Sequence, residues 1–195
     1  MSEPVAIARP RNAASLVLVR RVRSGPQVLM GRRPRRSRFA PDVFVFPGGA
    51  VDPKDFEAQP LRPLDPACAR RTGAAPRLAE ALAAAALRET AEETGVHLPA
   101  DHAALTLLAR AITPTNSPIR FHARFFTAET DVADDDHADS HELTDLAFRS
   151  VEDCLALPIM DVTETMLGAL SRSAGEARPF LWAYRNARPY KRVLD

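Results

Sequence analysis

The chain has 195 residues, of which 46% are apolar and 26% are charged, and its formal net charge is +1. This composition fits a single globular domain over residues 1–195, and the balanced charge argues against partners such as nucleic acids or membranes. No secretory segment or membrane-spanning run is recognised, and Cys68 and Cys154 are too few and too far apart for a disulfide framework or a metal cluster, so we expect a cytoplasmic protein.

The first part of the chain predicts a hairpin and then a short strand that ends in glycines. Residues 14–22 are rich in Leu and Val and predict a strand, the turn Ser24-Gly25-Pro26 follows, and residues 27–31 predict its partner. Residues 43–46 predict a short apolar strand that runs into Pro47-Gly48-Gly49.

A proline-rich stretch and a long helix come next. Residues 52–76 contain Pro at five positions and show no apolar period, which predicts an inserted surface loop with room for a short helix. Residues 77–94 contain neither Gly nor Pro and are rich in Ala, Leu, Glu and Arg, so they predict a long helix. Gly95 follows as its C-terminal cap.

The second half of the chain predicts more strands and helices. The strands are expected at residues 105–112, 119–128 and 143–148, and the helices at residues 151–157 and 163–173. A hairpin of strands at 180–184 and 190–194, turning at Asn186, completes a C-terminal extension that covers about residues 159–195. A mixed sheet packed between helices is the natural assembly of these elements.

One turn of the long helix carries three glutamates. Positions i, i+3 and i+4 of a helix share a face, so Glu89, Glu92 and Glu93 point the same way. Like charges at this spacing destabilise a helix, and a bound divalent cation would remove the conflict. A solvated acidic face is the alternative. The glycines at the preceding strand end favour the metal site, because they let the backbone approach a metal or phosphate closely.

The segment Arg88-Glu89-Thr90-Ala91-Glu92-Glu93-Thr94-Gly95 resembles the sequence box of the Nudix hydrolases. That box is a Gly, five residues, a Glu, seven residues and then R-E-U-x-E-E-x-G-U, where U is apolar. Gly49 fits the first Gly and Glu80 the first Glu. Thr90 replaces the usual aliphatic residue, and 30 residues instead of five separate Gly49 from Glu80, which we interpret as an insertion into the box.

The resemblance implies a Nudix α/β/α sandwich with a central mixed sheet and a hydrolase that cleaves a diphosphate bond. It implies Mg²⁺ or Mn²⁺ as the cofactor. The metal ligands that it implies are Glu89, Glu92, Glu93 and the backbone carbonyl of Gly48. It implies a general base that is either Glu89 or Glu142, at the end of an acidic loop, and Arg88 is placed to orient a carboxylate.

Beyond the box, residues 14–158 resemble the coenzyme A diphosphatase-like branch of the family. The likeness is carried by residues 28–33, 39–41, 43–49, 113–114 and 120–126. It implies coenzyme A or an acyl derivative as the substrate. Other nucleotide-type diphosphates stay open, including dinucleotides, ADP-ribose and oxidised nucleotides.

Substrate-binding candidates lie on both sides of the glycines. A basic cluster precedes the short strand and either clamps substrate phosphates or, as an arginine-rich chain slightly favours, is a solvated loop. It consists of Arg32, Arg33, Arg35, Arg36 and Arg38, of which Arg32, Arg36 and Arg38 are the substrate-binding candidates. Gly49 admits the substrate, and Phe121 is a candidate to stack on a base. Strand alternation puts Phe125 on the same face, where core packing is the alternative role.

A different class of function is a binding module that senses a nucleotide without cutting it. The intact Arg88 and the three glutamates favour the enzyme. A role in RNA decapping is disfavoured, because the composition gives no broad basic surface. Trp182 and Tyr184 are predicted to pack against the terminal hairpin or at a dimer contact, which leaves a homodimer open.

Overall fold

The computed structural model describes residues 8–133, 137–172 and 178–195. Its strands are β1 (Arg11–Val22), β2 (Gly25–Arg32), β3 (Phe44–Val45), β4 (Gly48–Ala50), β5 (Thr106–Ile112), β6 (Phe121–Glu129), β7 (Thr144–Ser150), β8 (Phe180–Arg185) and β9 (Arg188–Val193). Its α-helices are α1 (Pro66–Arg71), α2 (Pro76–Thr94), α3 (Val151–Leu155) and α4 (Asp161–Arg172). Short 3-10 helices lie at Pro53–Glu57 and His102–Ala104.

The strands of these described ranges form one mixed sheet in the order β3-β2-β1-β6-β5-β8-β9, with β4 on β1 and β7 on β2. β1 lies at its centre and pairs in parallel with β6 from Arg11 to Val19. Along its other edge β1 pairs first with β4, at residues 13–15, and later with β2, at residues 19–22. One strand therefore fixes both the glycine segment and the first hairpin.

Helices cover both faces of the sheet, as the predicted α/β/α sandwich requires. Alternate residues of β1 point to opposite faces. Leu16 and Leu18 pack in one cluster with the alanines of α2, whereas Val17 packs with α3 and α4 in a second cluster. Because the buried face of α2 is mostly alanine, this helix lies close to the sheet.

The predicted long helix and terminal hairpin are both confirmed. α2 ends at Gly95, whose φ of 75° is left-handed and whose N–H donates to the carbonyl of Ala91. The turn between β8 and β9 has positive φ at Asn186 and Ala187, as a two-residue hairpin turn requires. Among the described residues, none of the helices has the length and apolar character of a transmembrane segment.

Two segments differ in detail from the sequence prediction. Gly48 and Gly49, predicted as a turn, instead form β4, because β1 supplies a hydrogen-bonding edge to a segment whose own strand propensity is low. Residues 52–76 hold the first 3-10 helix and α1, and their interpretation as an insertion stays a prediction. The helix predicted to end at Ser173 is α4, and Ser173 lies outside the described residues.

Candidate active site

The glycines of β4 lie directly against the acidic turn of α2. The N–H of Gly48 donates to Oε2 of Glu93 over 2.8 Å, and Glu93 is only 4% exposed. A Cβ atom on Gly49 would overlap the carboxylate of Glu89, and one on Gly48 would overlap Oγ of Ser15. A Cβ atom on Gly48 would also meet backbone atoms of Ala14 and Ser15, so position 48 requires glycine, whereas a side chain at position 49 would displace the Glu89 carboxylate.

Burial makes this corner a costly place for negative charge. It raises the pKa of Glu93 to about 8, with Glu89 and Glu142 adding to the rise and the Gly48 N–H opposing it. Burial also raises the pKa of Glu89, against the opposing effect of Arg88. Nearby carboxylates that are desolvated and repel one another favour the approach of a cation.

Arg88 holds this cluster from behind. Its Nε and Nη2 donate to the two oxygens of the buried Asp55 over 2.8 and 3.0 Å. Its Nη1 donates to Glu89 over 2.7 Å and to Glu92 over 2.9 Å, and Lys54 donates to the other oxygen of Glu92 over 3.0 Å. These bonds, first of all that to Asp55, raise the pKa of Arg88. Arg88 thus positions the carboxylates from outside the cleft.

The chemistry of this donor set fits a hard divalent cation. Three carboxylates share one helical turn, and Glu93 brings a buried carboxylate whose polar contact is the Gly48 amide. In the described part of the chain, no three His, Cys, Asp or Glu side chains already converge as a set of metal ligands. Arg88 and Lys54 occupy oxygens of Glu89 and Glu92. A cation would have to replace some of these bonds. The contact seen at Gly48 is made by its N–H, so a role for its carbonyl stays a prediction.

A cleft of about 530 Å³ opens beside this corner. Of the residues predicted to act in catalysis, metal binding or substrate binding, it is lined by Gly48, Gly49, Glu89, Glu92, Glu93, Phe121 and Glu142. Glu142 is exposed, and its carboxylate lies 3.3 Å from Nε2 of His141. The structure therefore brings both candidate bases to one cleft with the proposed metal ligands.

The three arginines predicted as a phosphate clamp do not line the cleft. Arg32 pairs with Asp42 over 2.9 Å, Arg36 donates to the carbonyl of His141, and Arg38 is exposed. Arg33 and Arg11 line it instead. Strand alternation past the end of β2 turns Arg33 to the face opposite Arg32, so a period of two separates the two arginines without showing which of them faces the cleft.

Aromatic side chains form two walls of the cleft. Phe39 and Phe121 meet edge to face with ring centres 5.3 Å apart. Trp182 and Tyr184 line the cleft from β8, and the Tyr184 hydroxyl donates to Asp161 over 2.6 Å. Sequence reasoning did not place these last two residues here, because only the long-range parallel pairing of β5 with β8 brings them in.

Glu80, which fits the first Glu of the Nudix box, lies apart from the cleft lining. Its Oε1 accepts from the N–H of Leu64 over 3.0 Å, and its Oε2 lies 2.6 Å from Nδ1 of the buried His102. Glu80 therefore ties the segment before α1 and the segment after α2 to the middle of the long helix.

Comparison with known families gives a match over most of the chain. A family model described as NUDIX domain matches residues 9–167. A search of curated proteins found no match.

Solved structures share the fold. The crystal structure of a NUDIX hydrolase from Alicyclobacillus acidocaldarius is 28% identical, with a TM-score of 0.70, and the match covers 85% of this chain and 92% of that one. A MutT protein from Methanosarcina mazei Go1 is 17% identical, with a TM-score of 0.59 and coverages of 88% and 100%. The NUDIX domain of Shewanella oneidensis NrtR, solved with ADP ribose, is 17% identical, with a TM-score of 0.59 and coverages of 88% and 93%.

Proposed function

The chain belongs to the Nudix family of hydrolases, and we propose that it cleaves the diphosphate bond of a nucleotide-type substrate with Mg²⁺ or Mn²⁺ as its cofactor. The observation that carries this proposal is the corner where Gly48 donates to the buried Glu93 and where Glu89 fills the place of a side chain on Gly49. This corner puts carboxylates and an open backbone at the wall of one cleft.

Each side chain of the corner has a distinct task. Glu89, Glu92 and Glu93 would hold the cation, which supplies charge neutralisation and a more acidic bound water. Gly49 leaves room for the diphosphate beside the backbone. Arg33 and Arg11 are placed to bind phosphate oxygens, and Arg88 keeps the carboxylates in place from behind. Positioning and charge stabilisation of this kind are most of what phosphoryl transfer requires.

The general base is Glu89 in this proposal, with Glu142 as the second candidate. Burial raises the pKa of Glu89, which suits proton abstraction near neutral pH. Glu142 lines the same cleft but is exposed. We expect Glu89→Gln to abolish the acidic limb of the pH–rate profile, where the rate rises as the base loses its proton, and Glu142→Gln to preserve it. The opposite pattern would assign the base to Glu142.

The substrate class is a nucleoside diphosphate joined to a second moiety. Coenzyme A and its acyl derivatives are candidates from the sequence resemblance, and ADP-ribose, dinucleotides and oxidised nucleotides are the others. Arg32, Arg36 and Arg38, the candidates to clamp an additional phosphate, do not line the cleft, so the coenzyme A assignment depends on Arg11 and Arg33 among the described arginines.

A panel of these diphosphates, assayed for phosphorylated products with Mg²⁺ and with Mn²⁺, tests the proposal. We expect turnover of at least one compound, lost on chelation and lost in Glu93→Gln. Tight binding of one compound without turnover of any would contradict the enzymatic function and would indicate a nucleotide-sensing module.

A further inference from the structure

One end of the cleft is lined by Trp182 and Tyr184 of β8, a strand beyond the matched region of residues 9–167, and by Asp161 at the start of α4. We propose that this end of the cleft recognises the nucleobase of the substrate, with Trp182 as the stacking partner and Asp161 as the hydrogen-bond acceptor. The inference rests on the proposed function only for the placement of the diphosphate at the opposite end.

The floor of the cleft is flat because small residues stand in register on neighbouring strands. Ala13 of β1 pairs with Ala123 of β6, which pairs with Ala111 of β5, which pairs with Trp182 of β8. On its other side Ala13 pairs with Ala50, beside the glycine corner. At a strand spacing of about 4.8 Å, β1 and β8 are about 14 Å apart. An extended nucleoside phosphate can therefore lie along this row of alanines, which ends at the indole ring of Trp182.

Aromatic rings surround the end of this row. Trp182 and Tyr184 meet at 82° with ring centres 6.4 Å apart, and Phe125 lines the cleft from β6, on the far side of β5. Flat heteroaromatic rings stack favourably on such side chains. A sugar or an alkyl chain offers no comparable ring face, so this wall favours a nucleobase.

Asp161 gives the wall its polarity. Its Oδ2 accepts from the Tyr184 hydroxyl over 2.6 Å and its Oδ1 accepts from the N–H of Val162 over 2.7 Å. Each carboxylate oxygen has a further lone pair, so the group still accepts from a ligand. Burial, and then the bond to Asp161, raise the pKa of Tyr184, so this hydroxyl stays a donor to Asp161.

A carboxylate at this end selects by charge as well as by hydrogen bonding. It favours a neutral base that carries an amino group, and it disfavours a nucleoside that carries an additional phosphate on its ribose. This end of the cleft would therefore accept simple adenosine diphosphate esters and would disfavour esters of 3′-phosphorylated adenosine.

Trp182 is the only tryptophan of the sequence, so its fluorescence reports on this end of the cleft alone. AMP has no diphosphate to cleave and can be titrated into the full chain with Mg²⁺ present. We expect saturable quenching by AMP and none by ribose 5-phosphate. Equal responses to both compounds, or no response to AMP, would overturn the proposal.

Variants of the wall test the role of the carboxylate. We expect Asp161→Asn to weaken AMP binding about tenfold. We also expect a smaller ratio between the affinities for AMP and for adenosine 3′,5′-bisphosphate than in the wild type. Arg188→Ala, an exposed change in the hairpin β8–β9, should alter neither affinity. An equal loss of affinity for both nucleotides in Asp161→Asn would exclude selection by charge.

The two proposals fail in different ways. Quenching by AMP without hydrolysis of any diphosphate would support the nucleobase site and contradict the enzymatic function. Hydrolysis without quenching by AMP would support the enzymatic function and contradict the nucleobase site.

Discussion

Two clusters of like charge lie against this sheet, and their charges are balanced in different ways. The acidic cluster of Glu89, Glu92 and Glu93 faces the cleft. The basic cluster of Arg110, His122 and Arg124 lies on strands β5 and β6, where the Arg110 Nε donates to Nε2 of His122 over 3.3 Å. Burial is the main reason that the pKa of Arg124 falls to about 10 and that of His122 to about 3.

The basic cluster is satisfied by the fold itself. Arg124 donates to the carbonyls of Thr72 and His122 over 3.1 and 2.8 Å and to Oδ1 of Asn12 over 2.8 Å. These neutral acceptors tie α1, β1 and β6 together, and His122 stays uncharged. The buried Glu93, by contrast, accepts one N–H and faces two other carboxylates. Charge crowding alone therefore does not mark a functional site, and a buried carboxylate such as Glu93, held by a backbone N–H beside other carboxylates, is the better signal.

The largest effect should come from removing the central acid. Glu93→Gln keeps the size of the side chain and its contact with Gly48 but removes the charge that a cation needs. We expect turnover to fall about 10³-fold, with the circular dichroism spectrum unchanged. Activity within a factor of a few of wild type would show that the acidic cluster is as structural as the basic one.

Removing the arginine behind the acids should cost stability as well as activity. Arg88→Leu leaves the buried carboxylate of Asp55 without its partner, so we expect the free energy of unfolding to fall by about 3 kcal/mol. Urea denaturation measures this loss. Arg77→Leu, at an exposed position of the same helix, is the control and should change stability little. Equal stability of the two variants would contradict the role of Arg88 as the partner of the buried Asp55.

The basic cluster should affect stability alone. Arg124→Met leaves three acceptors without their donor, and we expect a loss of about 2 kcal/mol in the free energy of unfolding. Turnover per folded molecule should stay at the wild-type value, measured at a temperature where both proteins are folded. A selective loss of turnover would instead connect the basic cluster to catalysis.

A smaller effect should appear in the pH dependence of the metal-free protein. The pKa of Glu93 is raised on folding from its ordinary value of 4.5 to about 8, so the folded state holds this proton more tightly. The resulting stability is complete below about pH 4.5 and is lost as the pH rises through about 8. In a chelator, Glu93→Gln should lack this decline. Parallel stability curves for the two proteins from pH 5 to 9 would contradict the raised pKa.

Local sequence signals predicted the elements that local physics controls. The helix that bears the acids followed from its composition and from Gly95, and the shared face of Glu89, Glu92 and Glu93 followed from helical periodicity. The end of the hairpin at Asn186 followed from turn chemistry. In each case neighbouring residues in the chain decide the outcome.

Features that depend on distant partners were not predictable in the same way. β4 forms only because β1 offers it an edge, and Trp182 reaches the cleft only because β8 pairs with β5. The choice of Arg33 over Arg32 depends on which face of a strand end turns inward. The same limit applies to Glu80, whose partners Leu64 and His102 are 16 and 22 residues away.

The two-partner edge of β1 has a consequence for how such a protein can change. The glycine corner is anchored in the middle of the sheet by residues 13–15, and α2 lies on the same strand. The chain between Ala50 and Pro76 leaves this anchor and returns to it. Apart from Lys54, Asp55 and Leu64, which contact side chains of α2, a change of length in this segment need not alter the distance between the glycines and the acids.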